Sequence, residues 1–239
     1  FTIERQENRS IVGNIYKGRV DSVVPGMQAA FIDIGQEKNG FLYVGDIAGA
    51  EGTGDFDYVD GAAQLTKKGS RTPRDNRIEN VLKKNQYIMV QVAKDKLGTK
   101  GVRLTNYITL PGRYLVLMPT VTTLGVSRKI DNDRERDRLK KLLQSIRKQR
   151  MGLISRTEAE DCNKKDLQAD YNYLTRVWDR VKQKMERADG PTLLHEDLGP
   201  VLRIVRDSFT SDVTRLTVDS DKEYSRILNF LENFDPGLK

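Results

Sequence analysis

The stretch GNIYKGRVDSVVPGMQAAFIDIG, residues 13–35, contains two strand signals separated by a corner. Its two runs, NIYKGRVDSVV and MQAAFIDIG, are rich in β-branched and aromatic residues, which favour β-strands. Pro25-Gly26 stands between them, a dipeptide typical of turns. The stretch therefore predicts two successive strands joined by a tight corner.

Three further runs of the same kind follow, and they are NGFLYVGDI, QYIMVQVAKD and VRLTNYITL. Five short strands with glycine-rich corners predict a small closed barrel over about residues 13–106. Residues 48–77 are rich in glycine, aspartate and lysine and show little periodicity. We therefore expect a long, mobile loop or insertion between the third and fourth strands.

Residues 107–194 alternate between strand and helix patterns. YLVLMP predicts a buried strand, GVSRKI its partner, and GLIS a third strand. Apolar residues at helical spacing predict an amphipathic helix over residues 133–148. Asn163 predicts the cap of a second helix, which ends near Gly190-Pro191. This alternation predicts a compact α/β unit.

The last section, from TLLHED onward, has the pattern strand, helix, strand, helix. Its first helix runs through Val201, Leu202 and Val205, VTRLTV supplies the second strand, and Tyr224 lies in the second helix. These four elements do not complete a layer by themselves. We interpret them as a βαβα piece of a larger sheet.

Charge indicates a polyanionic partner without identifying it. Lysine and arginine number 41 against 34 acidic residues, which gives a net charge of +7. Residues 134–150 hold eight of these basic side chains and two acidic ones. No apolar run is long enough to span a bilayer, and the single Cys162 excludes an internal disulfide and a cysteine zinc site.

Two side chains suited to phosphate binding stand side by side in MGLISRTEAED, residues 151–161. Its apolar run predicts a buried strand, and Arg156 and Thr157 follow where that strand should end. A guanidinium donates two parallel hydrogen bonds to a phosphate, and a hydroxyl adds a third. Two readings remain: a seat for a phosphate, or a surface arginine followed by a helix or turn cap.

The predicted barrel has the parts of a platform for single-stranded RNA. Such barrels stack bases on exposed aromatic rings while basic side chains follow the backbone. Phe41 follows a glycine, where a ring can emerge, and the basic side chains near it are Lys17, Lys38 and Lys100. Phe56 and Tyr58 of the long loop could close over a bound strand. The alternative is that the aromatic rings of the barrel belong to its core, namely Phe31, Phe41 and Tyr43.

Seven blocks follow one another in a characteristic order and spacing: GNIYKGRV, PGMQAAFIDIG, NGFLYV, GTKGVRLT, LPGRYLVLMP, SRKI and GLISRT. Together they resemble the amino-terminal half of the bacterial RNase E/G family of endoribonucleases, from about Gly13 to the C-terminus. The resemblance implies an α+β multidomain fold. In it, a five-stranded OB-type barrel is inserted in a partial RNase H-like α/β domain and is followed by a small α/β 5′-sensor domain.

The domain boundaries that the resemblance implies match this segmentation. Residues 1–12 would supply the first strand of the RNase H-like domain, and residues 13–106 the RNA-binding barrel with its loop 48–77. Residues 107–194 would form the 5′ sensor. Residues 195–239 would return to the RNase H-like domain, which accounts for the unfinished last section.

The resemblance assigns an RNA 5′-monophosphate to the arginine–threonine pair. In the family's sensor, an arginine, the threonine after it and backbone amides of a neighbouring strand bind that phosphate. On this chain those positions are Arg156, Thr157, Gly112 and Val116. Arg128 of SRKI matches a further family arginine near the pocket.

In the barrel, Phe41 and Lys100 match family positions that contact RNA near the cleavage site. Lys38 and Lys17 are included for their charge and position alone. The function implied is that of the RNA-binding and 5′-monophosphate-sensing portion of a single-strand-specific endoribonuclease of RNA processing and decay.

The resemblance also implies what acts elsewhere in the family protein. Its cleavage depends on Mg²⁺ held by carboxylates in a DNase I-like domain that follows the segment where this chain ends. The family's zinc-binding cysteine motif, which links protomers into homo-oligomers, has no counterpart here. We therefore expect the chain to bind single-stranded RNA in the bacterial cytoplasm, to cut nothing by itself, and to be able to exist as a monomer.

Two other classes of function stay open. One is a stand-alone RNA-binding factor, whose last section should not expose apolar surface. The other is an enzyme with its own metal site, for which the nearest carboxylate clusters are Asp131, Asp133 and Asp137, or Glu158, Glu160 and Asp161. Both clusters are typical of solvated helix-end charges. His195 has no serine or cysteine motif near it, so we interpret it as structural.

Overall fold

The computed structural model describes residues 10–48, 77–96, 101–210, 212–235 and 237, together with the backbone of residues 56–59 and 62–65. The elements of the first section are β1 (Ile15–Val24), β2 (Ala29–Asp33), β3 (Gly40–Tyr43), β4 (Phe56–Val59), β5 (Ala62–Leu65), α1 (Ile78–Val81), β6 (Tyr87–Lys94) and β7 (Arg103–Thr105). The five strands that the sequence predicts correspond to β1, β2, β3, β6 and β7.

These five strands close into a barrel because the long β1 pairs with two neighbours. Its first half lies antiparallel to β6, and its second half lies antiparallel to β2. The order around the barrel is β1-β2-β3-β7-β6, with β3 and β7 parallel. Its interior is apolar and fully buried, as at Ile32 and Leu104. A Cβ at Gly40 would overlap the Leu104 side chain, so the glycine lets β3 approach β7.

Residues 48–77, which we expect to be a long, mobile loop or insertion, contain two strands. β4 and β5 form an antiparallel hairpin, with Phe56 opposite Leu65. In the sequence, FDYV and AAQL flank Asp60-Gly61, a dipeptide typical of two-residue hairpin turns. This local signal outweighs the polar composition of the whole segment. The side chains of Phe56 and Tyr58 lie outside the described residues.

The second section contains a four-stranded sheet and two helices. Its elements are β8 (Leu110–Pro111), β9 (Leu115–Met118), β10 (Leu124–Val126), α2 (Asp133–Ile146), β11 (Gly152–Ser155) and α3 (Lys164–Arg187). The strand order is β10-β11-β9-β8. The expected pairing of GVSRKI with YLVLMP is therefore wrong, because β11 lies between β9 and β10 and pairs with both.

α2 and α3 cover this sheet with the apolar faces that their sequences predict. Leu139 and Leu143 of α2 pack with Leu167 and Tyr171 of α3 in one core, together with Leu153 of β11. Asn132 and Asn163 cap the two helices, each through its side-chain oxygen. Within the described ranges, no helix is both long and apolar enough to cross a membrane.

The last section departs from the predicted βαβα order. β12 (Thr192–His195) pairs antiparallel with β1 and so extends the barrel sheet. α4 (Pro200–Ser208) and α5 (Asp221–Phe234) pack against each other. VTRLTV is not a strand: it has no pairing neighbour in the described part of the chain, and Leu216 is 44% exposed. A β-branched sequence forms a strand when a neighbouring strand and a buried face are available to it.

Removing the cap of α3 should destabilise the fold measurably. The Asn163 side chain accepts hydrogen bonds from the backbone N–H groups of Lys165 and Asp166, at 2.8 and 3.0 Å. Asn163→Ala should lower the free energy of unfolding by about 1 kcal/mol. Asn163→Ser, which retains a capping oxygen, is the matched control in urea titrations. Equal stability of the two variants would contradict a capping role.

Candidate phosphate-binding cleft and RNA surface

A cleft of about 300 Å³ lies where β11 ends against α4. It is formed by the ends of β8 and β11, the segment after β10, the loop before α4, and α4 itself. Its polar lining includes Ser127, Lys129, Arg156, Thr157, Arg203 and Arg206. Hydroxyl and cationic donors thus converge on a space large enough for a small anion.

Arg156 and Thr157 enter this cleft because β11 ends between β9 and β10. The backbone N–H of Arg156 donates to the carbonyl of Tyr114 at 2.8 Å, which continues the pairing of β11 with the β9 side. A single 3₁₀ turn, Thr157–Ala159, then turns the chain away. The Thr157 hydroxyl lies 3.2 Å from that of Ser127. The sequence prediction that a guanidinium and a hydroxyl emerge together at a strand end is confirmed.

The Arg156 side chain is fixed from one side by acceptors and is 10% exposed. Its Nη1 donates to the carbonyls of Gly112 and Arg113 and, at 2.7 Å, to Asp207 Oδ1. Its Nε lies 3.3 Å from a Glu158 carboxylate oxygen. Its Nη2 makes no hydrogen bond with any described residue. One edge of the guanidinium is therefore held while the atom Nη2 remains available to a ligand.

The charges in the cleft are mostly paired. Arg206 holds the Asp207 carboxylate with two parallel hydrogen bonds, both 2.8 Å long, and Arg203 pairs with Asp197. Burial alone would raise the pKa of Asp207, but hydrogen bonds from Arg206 and Arg156 and their charges lower it below its ordinary value. Lys129 makes no ion pair within the described ranges. An anion that enters the cleft therefore meets an uncompensated ammonium.

Arg113 fastens α4 and α5 to the turn beside Arg156. Its buried guanidinium donates to the carbonyls of Arg206 and Phe209, at 2.7 and 2.8 Å, and to Asp235 at 3.2 Å. The group also stacks over the Phe234 ring. The position of α4, and with it of Asp207, is thus tied to the β8–β9 turn.

The other predicted phosphate-binding residues lie at different distances from the cleft. Gly112 is adjacent, although its N–H donates to the carbonyl of Leu115 and its own carbonyl accepts from Arg156. Val116 is fully buried in the middle of β9, opposite Ile154. Arg128 is exposed on the segment after β10, and it is the next residue, Lys129, that lines the cleft.

On the barrel, Phe41 pairs across the strands with Phe31. The two rings meet edge to face, with centroids 5.9 Å apart, and neither ring is buried. The alternative that these rings belong to the barrel core is therefore wrong for Phe31 and Phe41, and Tyr43 is exposed as well. Together, Phe31 and Phe41 present an aromatic surface beside Arg103 on β7.

The three predicted lysines have different surroundings. Lys17 donates to the carbonyls of Met185 and Ala188 at the end of α3, and its ammonium lies over the Tyr87 ring. This contact neutralises the negative end of the helix dipole and joins α3 to the barrel. Lys38 is exposed in the corner between β2 and β3. Lys100 lies outside the described residues.

Comparison with known proteins identifies the family of this chain. A model of the Ribonuclease E/G family matches residues 109–239. Ribonuclease G of Escherichia coli (strain K12) is 42% identical over 236 residues, which cover 99% of this chain and 46% of that protein. The chain belongs to the ribonuclease E/G family.

Other members of the family are similar over nearly the same span. Ribonuclease G of Haemophilus influenzae is 37% identical over 236 residues, again 99% of this chain and 46% of that protein. Ribonuclease E of a Nostoc species is 37% identical over 227 residues, 95% of this chain and 30% of that protein. The chain spans about half the length of its ribonuclease G relatives and a smaller share of ribonuclease E. This fits the expected resemblance to one half of the family protein.

The described residues of this ribonuclease E/G chain do not form a metal site. No three of its acidic, histidine or cysteine side chains come together there in a way that could hold a metal ion, and this includes the two carboxylate clusters considered as candidates. Glu158 instead pairs with Arg156.

The single cysteine and the single histidine are both uncharged near neutral pH. Burial raises the pKa of the Cys162 thiol to about 11, and it lowers the pKa of the His195 imidazole.

Several residues of the cleft escaped sequence reasoning. Arg203, Arg206 and Asp207 lie on α4, about 50 residues after Arg156, and no local motif marks them. Lys129 had a signal, because it directly follows the arginine that the resemblance singled out. The α4 sequence predicts an amphipathic helix, but it does not predict that this helix lies beside Arg156.

Asp207→Asn should remove part of the acid sensitivity of the fold. The folded pKa of Asp207 is lowered, so its carboxylate contributes stability that is fully present above the ordinary value of about 3.9. That contribution is lost as the pH falls through the folded pKa. In urea unfolding from about pH 6 to about pH 2.5, the stability gap between wild type and variant should shrink with falling pH. A constant gap would contradict this, and Asp179→Asn, on the exposed face of α3, is the control.

Proposed function

We propose that this chain is the RNA-binding and 5′-monophosphate-sensing portion of a single-strand-specific endoribonuclease of RNA processing and decay. The observation that carries the proposal is the position of Arg156 and Thr157 side by side in a cleft of a ribonuclease-family chain where Lys129 has no ion-pair partner among the described residues. The alternative interpretation, a strand-end arginine followed by a cap, does not account for the contacts of Thr157. The Thr157 hydroxyl faces the cleft lining, and no side-chain cap bond is made at that turn.

The chemistry of the cleft suits the end of an RNA better than its interior. A terminal monophosphate carries three unsubstituted oxygens and up to two charges, whereas an internal phosphodiester has two such oxygens and one charge. Arg156 Nη2, the Thr157 hydroxyl and the Lys129 ammonium can donate to a group with three acceptors. A 5′-hydroxyl would leave these donors without a charged partner, so the cleft should discriminate against it.

Asp207 gives the cleft an internal counter-charge. Its carboxylate binds Arg156 and Arg206 together, which keeps Arg156 aimed along the cleft and limits the cost of a partly buried cation. Glu158 is more exposed and pairs with the Nε atom, so it can move away when an anion arrives. Gly112, Val116 and Arg128 are proposed as further contacts on the family resemblance, although the Gly112 N–H donates to Leu115 and Val116 lies buried within β9.

The barrel supplies the second part of the RNA surface. In this proposal it is an OB-type platform on which the Phe31–Phe41 pair stacks unpaired bases. Phe41, Lys38, Lys100 and Lys17 are the proposed RNA contacts. Of these, Lys17 would have to exchange its bonds to the end of α3 for bonds to RNA.

The activity of the whole protein is also a proposal. Relatives named ribonuclease E and ribonuclease G support a ribonuclease. We propose, as the family resemblance implies, that the whole protein is an endoribonuclease of the bacterial cytoplasm that forms homo-oligomers and uses Mg²⁺. The carboxylates of the described residues do not fit a Mg²⁺ site, so we derive no chemical step here. Residues 1–12 and 195–239 are proposed as parts of an RNase H-like domain. The exposed Val201 and Ile204 of α4 favour such a larger protein over a stand-alone RNA-binding factor.

The 5′ preference can be tested with two labelled single-stranded RNAs that differ in a 5′-monophosphate or a 5′-hydroxyl. At fixed moderate salt, the wild-type chain should bind the phosphorylated RNA about fivefold or more tightly, or by about 1 kcal/mol. Arg156→Ala should lose this preference and bind both RNAs like the hydroxyl form. Fluorescence anisotropy gives all four dissociation constants.

Phe41→Leu is the matched control for that experiment. Because its proposed role is base stacking, it should weaken binding of both RNAs by the same factor and leave the preference intact. Equal affinity of the wild-type chain for both RNAs would contradict a 5′ sensor. The barrel would then account for all of the recognition.

The chain by itself should not cleave RNA when Mg²⁺ is added. The reason is that a hydrolytic Mg²⁺ site needs closely spaced carboxylates, which the described residues lack. Incubation of 5′-phosphorylated RNA with the chain and Mg²⁺, with and without a chelator, should give the same intact band on a gel. Cutting that Mg²⁺ stimulates and the chelator blocks would overturn this expectation and reopen the possibility of a separate active site.

A further inference from the structure

Asp170 of α3 is a buried carboxylate that the proposed phosphate contacts do not use. Its two oxygens accept hydrogen bonds from three consecutive backbone N–H groups, those of Arg113, Tyr114 and Leu115, at 3.2, 2.9 and 2.9 Å. Successive N–H groups that converge on one point form an anion-binding nest. In this chain the anion is an internal side chain.

The same turn faces Arg156 with its carbonyls. The carbonyl oxygens of Gly112 and Arg113 both accept from Arg156 Nη1. The turn between β8 and β9 is therefore held on its N–H side by a carboxylate and on its C=O side by a guanidinium. The two contacts polarise the peptide groups between them in the same direction, so each strengthens the other.

Space around the carboxylate is tight. A Cβ at Gly112 would overlap the Asp170 carboxylate. Only a glycine at this position therefore lets the turn approach the carboxylate closely enough for these hydrogen bonds. An ionised carboxylate is an acceptor at both oxygens, which matches three donors. An amide would place an NH₂ group against at least one backbone N–H and could not accept from it.

We propose that Asp170 is a positioning residue for phosphate recognition, which fixes the turn of residues 112–115 and through its carbonyls the direction of the Arg156 guanidinium. The inference rests on the proposed 5′-sensing function of the cleft. Asp170 touches no ligand itself. Its effect reaches the phosphate through two backbone carbonyls and one arginine.

Neutralising Asp170 should reduce 5′ discrimination selectively. In Asp170→Asn, the turn loses at least one of its N–H contacts and shifts, and Arg156 loses carbonyl acceptors while keeping its pair with Asp207. The guanidinium then points less accurately into the cleft. The affinity for 5′-phosphorylated RNA should fall by roughly threefold or more, while the affinity for 5′-hydroxyl RNA stays unchanged.

The test measures both RNAs on five proteins: wild type, Asp170→Asn, Arg156→Ala, the double variant, and Asp179→Asn as an exposed control on the same helix. A positioning role predicts that Asp170→Asn reduces the preference in the wild-type background and changes nothing further once Arg156 is alanine. A merely structural role would weaken both RNAs, in both backgrounds, through loss of folded protein.

Gly112→Ala is a second route to the same question if Asp170→Asn does not fold, as judged by thermal unfolding. It keeps the Asp170 charge and displaces the turn, so it should also lower the preference for the phosphate. If Asp170→Asn folds and keeps the full preference for 5′-phosphorylated RNA, the inference is overturned. If Asp170→Asn does not fold, full preference in Gly112→Ala overturns it in the same way. In either case, loss of the preference in Arg156→Ala would still support the 5′ sensor itself. Absence of any preference in the wild-type chain would instead overturn the proposed function together with this inference.

Discussion

The register between β9 and β11 is the constraint on which the cleft depends. Ser155 lies opposite Leu115, and the next residue donates its N–H to Tyr114. A slip of one residue in this pairing would exchange the two faces of β11, because side chains alternate along a strand. The fully buried Leu153, packed under α2 and α3, makes such a slip costly. Burial of the strand thus determines where Arg156 emerges.

A second layer of contacts brings distant segments to that strand end. Arg113 bonds to the last residues of α4 and to Asp235 after α5, and Asp207 of α4 pairs with Arg156. When one partner of a partly buried ion pair is removed, the other charge is left unpaired and the fold loses stability. Removal of one of these residues should therefore affect the others. The cleft is therefore a product of separate parts of the chain. It joins the end of β8, the segment after β10, the end of β11, and α4 with the loop before it.

The sequence predicted what local chemistry determines. The bounds of GLIS coincide with β11, Asn163 caps α3 as its position indicates, and the adjacent Arg156 and Thr157 share the cleft. Pairing between distant strands was harder, because strand propensity does not specify a partner. For that reason VTRLTV was expected to be a strand and β12 was expected outside the barrel. The partners of Lys17 and Arg156 likewise come from residues far along the chain, which no periodicity reveals.

A crystal structure of the chain with a short 5′-monophosphorylated RNA tests the central claim most directly. We predict that the terminal phosphate lies within hydrogen-bond distance of the Arg156 guanidinium and the Thr157 hydroxyl, with the following bases directed toward Phe31 and Phe41. A terminal phosphate bound elsewhere, with Arg156 still held by Asp207 and the cleft without RNA, would contradict the account.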